Sequence, residues 1–284
     1  MRRGRLAIAG AAAGAALGTT LIAGTQRRFR AATAGDISAV VGEATAIGRS
    51  ALSARWDGLP VPLQRYFLRT TSADAPAIRT AHLRHGGTFR TSPRARWFPI
   101  EGEQYFSADR PGFVWLARLQ LAPLLWIQAR DRLVHGRGNM QVRPLSTFTV
   151  ADASGPEIDQ GAALRWLAEA VWFPYALAGD AIEWSAIDER SARASLRAAD
   201  PPVAATFEVD GDGLIAGVHA ERYRDLGGGR SALTPWSGRY GDYAEFHGFR
   251  VPTSVEVSWH LEDGPFCYAR FAVRTLEYNV AVPL

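Results

Sequence analysis

Two spacings of hydrophobic residues divide this chain into helical and strand-forming parts. The clearest helical pattern covers residues 159–177, where Leu164, Val171 and Trp172 share the three-and-four spacing of a buried helix face. Trp172 is therefore expected to point inward, whereas Trp166 lies off this stripe and is expected to face the rim. The pattern predicts one long helix in the middle of the chain.

The ends of this helix are predicted from residues with strong backbone preferences. Asp159 is the expected N-cap, because its carboxylate can accept hydrogen bonds from the first free N–H groups. Pro174 disfavours helical backbone at Phe173 and is expected to mark the end. Arg165 and Glu169, four residues apart, are expected to pair along one side.

On both sides of the helix, hydrophobic and polar residues alternate with the period of a β-strand. The alternation is strict over residues 255–261, which is typical of an antiparallel sheet with one wet face. Residues 226–238 are predicted to be a Gly-rich loop, and residues 249–251 and 254–261 to be separate strands. Helices do not alternate with strands, so a βαβ fold is excluded. The predicted fold is α+β and mainly β: an antiparallel meander curved into an unclosed barrel, with the central helix as a lid. A two-sheet sandwich is the alternative.

The N-terminus carries a basic start followed by an uncharged run, residues 6–25. This run is about long enough to cross a bilayer, which needs ~20 residues. We therefore expect a membrane anchor or signal segment over residues 1–30, a linker or helix over 31–58, and a single β-rich domain over 59–284. The domain is expected to lie outside the cytoplasm, at the cell membrane.

Two further expectations concern the same segment. Gly10, Gly14 and Gly18 repeat every four residues, a spacing that lets two membrane helices approach closely and predicts a homodimer. Ala32-Thr33-Ala34 resembles a signal-cleavage site, so a secreted protein is the alternative.

Composition limits the partners and cofactors. All 32 basic residues are arginine and are scattered among acidic residues, so no nucleic-acid partner is expected. Cys267 is the only cysteine, which excludes an intrachain disulfide. His82 and His85 are three apart on a predicted strand and should face opposite sides, which disfavours a shared metal. No metal, phosphate or nucleophile motif is present, and no cofactor or catalytic residue is predicted.

Aromatic residues supply the predicted ligand site. The set contains Trp115, Trp126, Trp166, Trp172, Phe173, Tyr175, Trp184 and Trp259. Large rings either fill a core or line an apolar cavity beneath the helix, and the sequence leaves both interpretations open. A polar site is predicted from Arg165, Glu169, Asp131 and His135. Asp131, His135 and Arg137 would share one face of a regular strand, either as an acid–base cluster or as an exposed ion-paired surface.

Several phrases resemble an uncharacterised bacterial family described only as a domain of unknown function. They include GFVWLARLQL (112–121), RWLAEAVWFPYAL (165–177) and RYGDYAEFHGFRVPTSVEVSW (239–259). The resemblance extends over residues 59–278 and implies bacterial origin and frequent N-terminal membrane segments, with no assigned activity. The strand–helix–strand layout also resembles bacterial lipoprotein carriers, whose unclosed, curved antiparallel barrel is covered by a helix.

Three functional hypotheses follow. The first is a membrane-anchored envelope protein that binds or carries an apolar, lipid-like ligand in a half-barrel cavity. The second is an enzyme, a hydrolase or cyclase that uses acid–base residues at the cavity mouth. The third is a purely structural envelope protein. The lack of a nucleophile motif favours binding.

Overall fold

The computed structural model describes residues 2–46, 56–197 and 199–280, with side chains from residue 22 onward. Thirteen β-strands make up nearly half of this part of the chain. They are β1 (Thr80–Phe89), β2 (Phe98–Ser107), β3 (Phe113–Ala122), β4 (Leu125–Val134), β5 (Arg137–Pro144), β6 (Ala151–Ala153), β7 (Ile182–Ala186), β8 (Ser191–Leu196), β9 (Ala204–Val209), β10 (Ile215–Gly227), β11 (Arg230–Phe246), β12 (Phe249–Leu261) and β13 (Gly264–Tyr278).

These strands form one continuous antiparallel sheet made of two meanders. The first meander runs from β1 to β6 and the second from β7 to β13, and they join where β1 pairs with β13. The two edge strands, β6 and β7, do not pair with each other, so the sheet stays open. The predicted fold class is confirmed: an antiparallel, unclosed barrel with a helix inserted midway.

The inserted helix lies against the inner face of the sheet. It comprises α3 (Pro156–Glu169) and two short 3-10 segments, Ala170–Trp172 and Pro174–Ala178. Because α3 contacts strands of both meanders, β4 and β5 on one side and β9 and β10 on the other, it is buried on most sides. A shorter amphipathic helix, α2 (Val61–Thr70), buries its apolar stripe against β8, β9 and β12.

The long N-terminal helix α1 (Arg2–Gly42) covers part of the outer face with its C-terminal half. Ile37, Val40 and Val41 pack there against Val114 of β3 and Val134 of β4. Residues 31–42, predicted as a linker or short helix, belong to this packed helix, and residues 47–55 lie outside the described part of the chain. The first meander is therefore covered by helices on both faces, by α1 on the outer face and by the central helix on the inner face.

Ion pairs strengthen this contact between α1 and the sheet. The Asp36 carboxylate lies 3.1 Å from Arg130 Nη1 and 3.3 Å from Arg132 Nε. Arg143 stacks its guanidinium over the Phe29 ring at 4.2 Å, and Thr33 is buried beside Arg130. Because Arg130 and Arg143 are themselves buried, these contacts satisfy charges that would otherwise be costly.

The central helix differs from its prediction at both ends. It begins at Pro156, whose fixed φ suits a first turn, so Asp159 is not the N-cap. The Asp159 carboxylate instead accepts hydrogen bonds from the backbone N–H of Gly138 at 2.6 Å and from Arg137 at 2.9 Å. The α-helix also ends earlier, at Glu169, and the chain continues as 3-10 turns around Phe173.

Two predicted breaks in the second meander were wrong. Residues 226–238 are not a loop: only Gly228 and Gly229, both with positive φ, form the turn between Gly227 at the end of β10 and Arg230 at the start of β11. Residues 249–261 form a single strand, since Pro252 still pairs with Tyr243. In both places long-range pairing extends the strands through residues that locally favour a break.

Candidate functional site

A charged side chain of α3 lies between the helix and the inner face of the sheet. The Arg165 guanidinium donates to Asp131 Oδ2 at 2.8 Å, to Glu169 Oε1 at 2.9 Å and to Gln104 Oε1 at 3.0 Å. Gln104 Nε2 donates to Glu169 Oε2 at 2.6 Å, which closes a ring of three side chains, with Asp131 joined to it through Arg165. We call Arg165, Asp131, Glu169 and Gln104 the Arg165 cluster.

Strand register brings this cluster together. Gln104 of β2 pairs with Trp115 of β3, and Trp115 pairs with Asp131 of β4, so all three share one row. Arg165 and Glu169, one helical turn apart, lie over that row, and the guanidinium stacks on the Trp115 ring at 4.5 Å. The expected pair of Arg165 and Glu169 is confirmed. Gln104 was not identified from the sequence, although it lies in phase with buried Phe106 and could have been noticed as a polar residue on a buried face.

The cluster holds two carboxyl groups and one guanidinium away from solvent. Burial raises the pKa of Glu169, and although Arg165 opposes this, the pKa stays above its usual value. Burial by itself lowers the pKa of Arg165, but Glu169 and Asp131 outweigh it, so the guanidinium remains charged. Since Glu169 accepts bonds from both Arg165 and Gln104, the cluster is built to fix α3 against the sheet.

The remaining members of the predicted polar site lie elsewhere. His135 and Gly136 both have positive φ and form the turn between β4 and β5, so Asp131, His135 and Arg137 do not share a strand face. The closest ion-pair partner of His135 is Glu43 of α1, 3.8 Å away, and the His135 side chain is 64% exposed. The structure thus brings Asp131, Arg165 and Glu169 together and leaves His135 at the surface.

A buried histidine lies beside the cluster on the inner face. Trp115 Nε1 donates to His85 Nε2 at 2.9 Å, so His85 is neutral with its proton on Nδ1. Burial lowers the pKa of His85 to about 4. His82 lies on the other face, stacked on Tyr105 and hydrogen bonded to Glu103, so the two histidines face opposite sides as predicted.

This histidine predicts a loss of stability in mild acid. A group whose folded pKa is depressed contributes stability above its unfolded pKa, about 6.5, and loses it as the pH falls toward the folded value. From pH 8 to pH 5 we expect about 2 kcal/mol less unfolding free energy from His85. Urea unfolding of the wild type and His85→Gln at both pH values measures this. An equal pH dependence in both proteins would contradict it.

Tyrosine hydroxyls hold the C-terminal end of the central helix. Tyr240 of β11 donates to the carbonyl oxygen of Ala168 at 2.7 Å, and Tyr278 of β13 donates to that of Trp172 at 2.7 Å. Burial raises the pKa of both tyrosines well above the ordinary value, so their hydroxyls keep their protons. These bonds satisfy carbonyl groups that a helix end leaves unpaired and attach the helix to the sheet.

The eight predicted aromatic residues fall into two groups in the structure. Five are buried in the main core: Trp115, Trp166, Trp172, Phe173 and Tyr175. The other three, Trp126, Trp184 and Trp259, are half-buried on β4, β7 and β12. Trp166 does not face the rim, since it is fully buried and its indole N–H donates to the Ser107 carbonyl oxygen at 2.9 Å. Whether these rings contact a ligand stays a prediction.

An open cavity lies between the two meanders. It has a volume of about 720 Å³, and we call it the mouth cavity. Its apolar lining comes from α1, β4, α3 and the start of the second meander: Val40, Leu133, Ala163, Ala181 and Leu196. Its ionisable lining residues are Glu43, Asp109, Arg110, His135, Arg137, Asp159, Asp180, Arg197 and Asp200. Of the predicted site residues, only His135 lines the mouth cavity.

Two properties of the described residues bear on the predictions of a metal site and of a membrane anchor. Among the described side chains, no group of three or more His, Cys, Asp or Glu residues is placed to hold a metal ion. Within the described part of the chain, no helix is both long and apolar enough to cross a membrane. Most of the uncharged run, residues 6–25 of the predicted anchor over 1–30, has side chains outside the described residues, and so do the glycines at positions 10, 14 and 18.

Solved structures with a similar layout come from several bacteria. A DUF1329 family protein from Desulfovibrio piger is 11% identical, with a TM-score of 0.45 over 82% of this chain and 95% of that chain. A LolA superfamily protein from Nitrosomonas europaea is 8% identical, with a TM-score of 0.42 over 81% of this chain and 94% of that chain. An outer membrane lipoprotein-sorting protein domain from Vibrio parahaemolyticus, described as putative, is 9% identical, with a TM-score of 0.37 over 72% of this chain and 87% of that chain.

A comparison with curated proteins gave no match. The expected family resemblance is confirmed by the sequence model of DUF6544, a family of unknown function, which matches residues 50–271. The matched region begins after α1 and includes both meanders and the central helix up to β13. This chain therefore belongs to the DUF6544 family.

Proposed function

We propose that this protein is a membrane-tethered binding protein of the cell envelope that takes an amphipathic, lipid-like molecule in the mouth cavity. The observation that carries the proposal is the combination of an apolar lining with a charged rim in a cavity between the two meanders. Its volume of about 720 Å³ lies within the roughly 300–1,000 Å³ typical of small-molecule sites.

The lining indicates which part of a ligand would lie where. An acyl or other apolar group would lie over Leu133, Ala163 and Leu196. Arg137 is occupied by Asp159 and Arg110 by Glu43, whereas Arg197 makes no ion pair among the described residues. An anionic group of the ligand is therefore expected at Arg197.

The helix α1 supports the tether. It runs without a break from Arg2 to Gly42, so the uncharged run and the half that packs on the sheet are one helix. Cleavage after Ala34 would remove Phe29 and Thr33, which cover the buried side chains of Arg143 and Arg130. Without these contacts the two buried guanidinium groups would be left exposed or without partners. This cost favours retention of the N-terminal segment over cleavage and secretion.

The proposal predicts how charge at the rim affects lipid binding. Arg197→Glu should weaken the binding of NBD-labelled phosphatidylglycerol by the full-length protein about tenfold, or ~1.4 kcal/mol, because it replaces attraction by repulsion. Ala181→Trp should also weaken it, because Ala181 lines the cavity and the added ring would fill it. Fluorescence titration in detergent measures both effects.

Arg193→Glu supplies a matched control. Arg193 lies on β8, the strand whose residue Leu196 lines the mouth cavity. The Arg193 side chain is exposed and does not itself line the cavity. Thermal unfolding of each variant separates weakened binding from lost folding. Equal binding by Arg197→Glu and Arg193→Glu, or no binding by the wild type, would exclude the mouth cavity as a lipid site.

A further inference from the structure

An exposed apolar patch lies where the turn between β3 and β4 meets the loop between β5 and β6. It consists of Leu124, Leu125, Leu145, Phe148 and Val150, and we call it the apical patch. Leu124 is 86% exposed and Phe148 is 60% exposed. The β5–β6 loop is held beside the start of β4 by a hydrogen bond from the Leu145 N–H to the Trp126 carbonyl oxygen at 2.9 Å. Five large apolar side chains exposed together are typical of an interaction surface.

The apical patch lies beside the point where α1 leaves the sheet. Thr25 Oγ1 donates to the Thr147 carbonyl oxygen, within the β5–β6 loop, at 3.0 Å. Ile22, one helical turn earlier, is already 41% exposed. From Thr25 back to residue 6 the sequence carries no charge and stays helical, a length of about 30 Å that matches the hydrocarbon core of a bilayer. If this run is embedded, the bilayer boundary falls at the level of the patch.

Basic and aromatic side chains lie near the apical patch. Arg27, Arg28 and Arg30 follow the uncharged run directly and are exposed. Arg96, also exposed, donates to the Leu121 carbonyl oxygen at 2.7 Å at the end of β3. Trp126 lies half-buried there with the Arg118 guanidinium 4.2 Å from its ring centre. Arginine and tryptophan beside apolar side chains are the composition that favours an anionic bilayer surface.

We propose that the apical patch inserts into the interface of the bilayer that holds α1. The inference rests on the proposed tether and adds a second contact, made by the folded domain itself. The tether and the patch together would fix the orientation of the domain on the bilayer. Val40, which lines the mouth cavity, lies 15 residues beyond Thr25 on α1, so the cavity would lie roughly 20 Å from the bilayer boundary. The ligand would then enter the mouth cavity from the aqueous side.

Site-specific quenching tests this contact in the full-length chain. The protein with Cys267→Ser is reconstituted in vesicles of phosphatidylcholine and phosphatidylglycerol, and single cysteines at Phe148→Cys, Ile22→Cys and Leu68→Cys are labelled with NBD. Leu68 is the matched control, because it is 74% exposed and lies on α2. We expect spin-labelled lipid to quench the label at positions 148 and 22 several-fold more than at position 68.

The outcomes separate this inference from the tether. Quenching at position 22 with position 148 equal to position 68 would overturn the inserted patch and leave the tether intact. Quenching at neither position 22 nor position 148 would overturn both. As a second measurement, Leu124→Glu with Val150→Glu should abolish quenching at position 148, while Val61→Glu, a charge added at an exposed position of α2, should not change it. Full quenching at position 148 in the double variant Leu124→Glu/Val150→Glu would also count against insertion.

Discussion

Replacing Arg165 by methionine should lower the free energy of unfolding by about 3–5 kcal/mol, because it leaves two carboxyl groups buried without their cation. Arg165 is the only side chain that donates to both Asp131 and Glu169 in the described structure. The Arg165, Asp131 and Glu169 side chains are each at most 15% exposed, so solvent cannot replace the lost bonds. Urea unfolding at pH 7 measures the change.

The pH dependence and a compensating variant test the electrostatic cause. Without Arg165, burial would raise the pKa of Glu169 further, so the destabilisation should decrease as the pH falls and the carboxyl groups take up protons. Asp131→Asn with Glu169→Gln in the Arg165→Met background should recover part of the loss, since no buried charge remains. A destabilisation that stays the same at pH 7 and pH 4 would argue that lost packing on Trp115 is the cause.

Replacing Trp172 by alanine should cost roughly 3–5 kcal/mol of stability, the range for removing a large aromatic residue from a core. Trp172 is 4% exposed, its indole N–H donates to the Pro252 carbonyl oxygen at 3.0 Å, and its ring lies 6.4 Å from that of Phe106. This variant also decides between the two interpretations of the aromatic set. A core residue predicts no effect on lipid binding beyond the loss of folded protein.

Trp259→Ala is the control for this experiment. Trp259 is half-buried on β12 and stacks on Tyr268 with ring centres 5.9 Å apart, so its removal should cost less. Thermal unfolding and NBD-lipid binding are measured on the same samples. If Trp172→Ala keeps its stability but loses lipid binding, the cavity beneath the helix, and not the mouth cavity, is the ligand site.

Periodicity in the sequence was sufficient to identify most elements of this protein. Strict alternation predicted antiparallel strands, and the three-and-four spacing around Leu164 and Val171 predicted the central helix. The opposite faces of His82 and His85 and the pairing of Arg165 with Glu169 were also predicted correctly. All of these depend on local backbone geometry, which fixes where side chains point within one strand or one helix.

Other features depend on contacts between residues far apart in the chain, and only the tertiary structure decided them. Gln104 joined the Arg165 cluster because the register of β2, β3 and β4 placed it beside Asp131. Trp166 lies off the apolar stripe of α3 but is fully buried, because the open sheet wraps around the helix and leaves it no exposed rim. Most of the Gly-rich loop expected around Trp236 became strand, since the neighbouring strands β10 and β12 supply hydrogen-bond partners to both sides of β11. A local pattern carries no information about such partners, because register and enclosure are set by how distant segments pack.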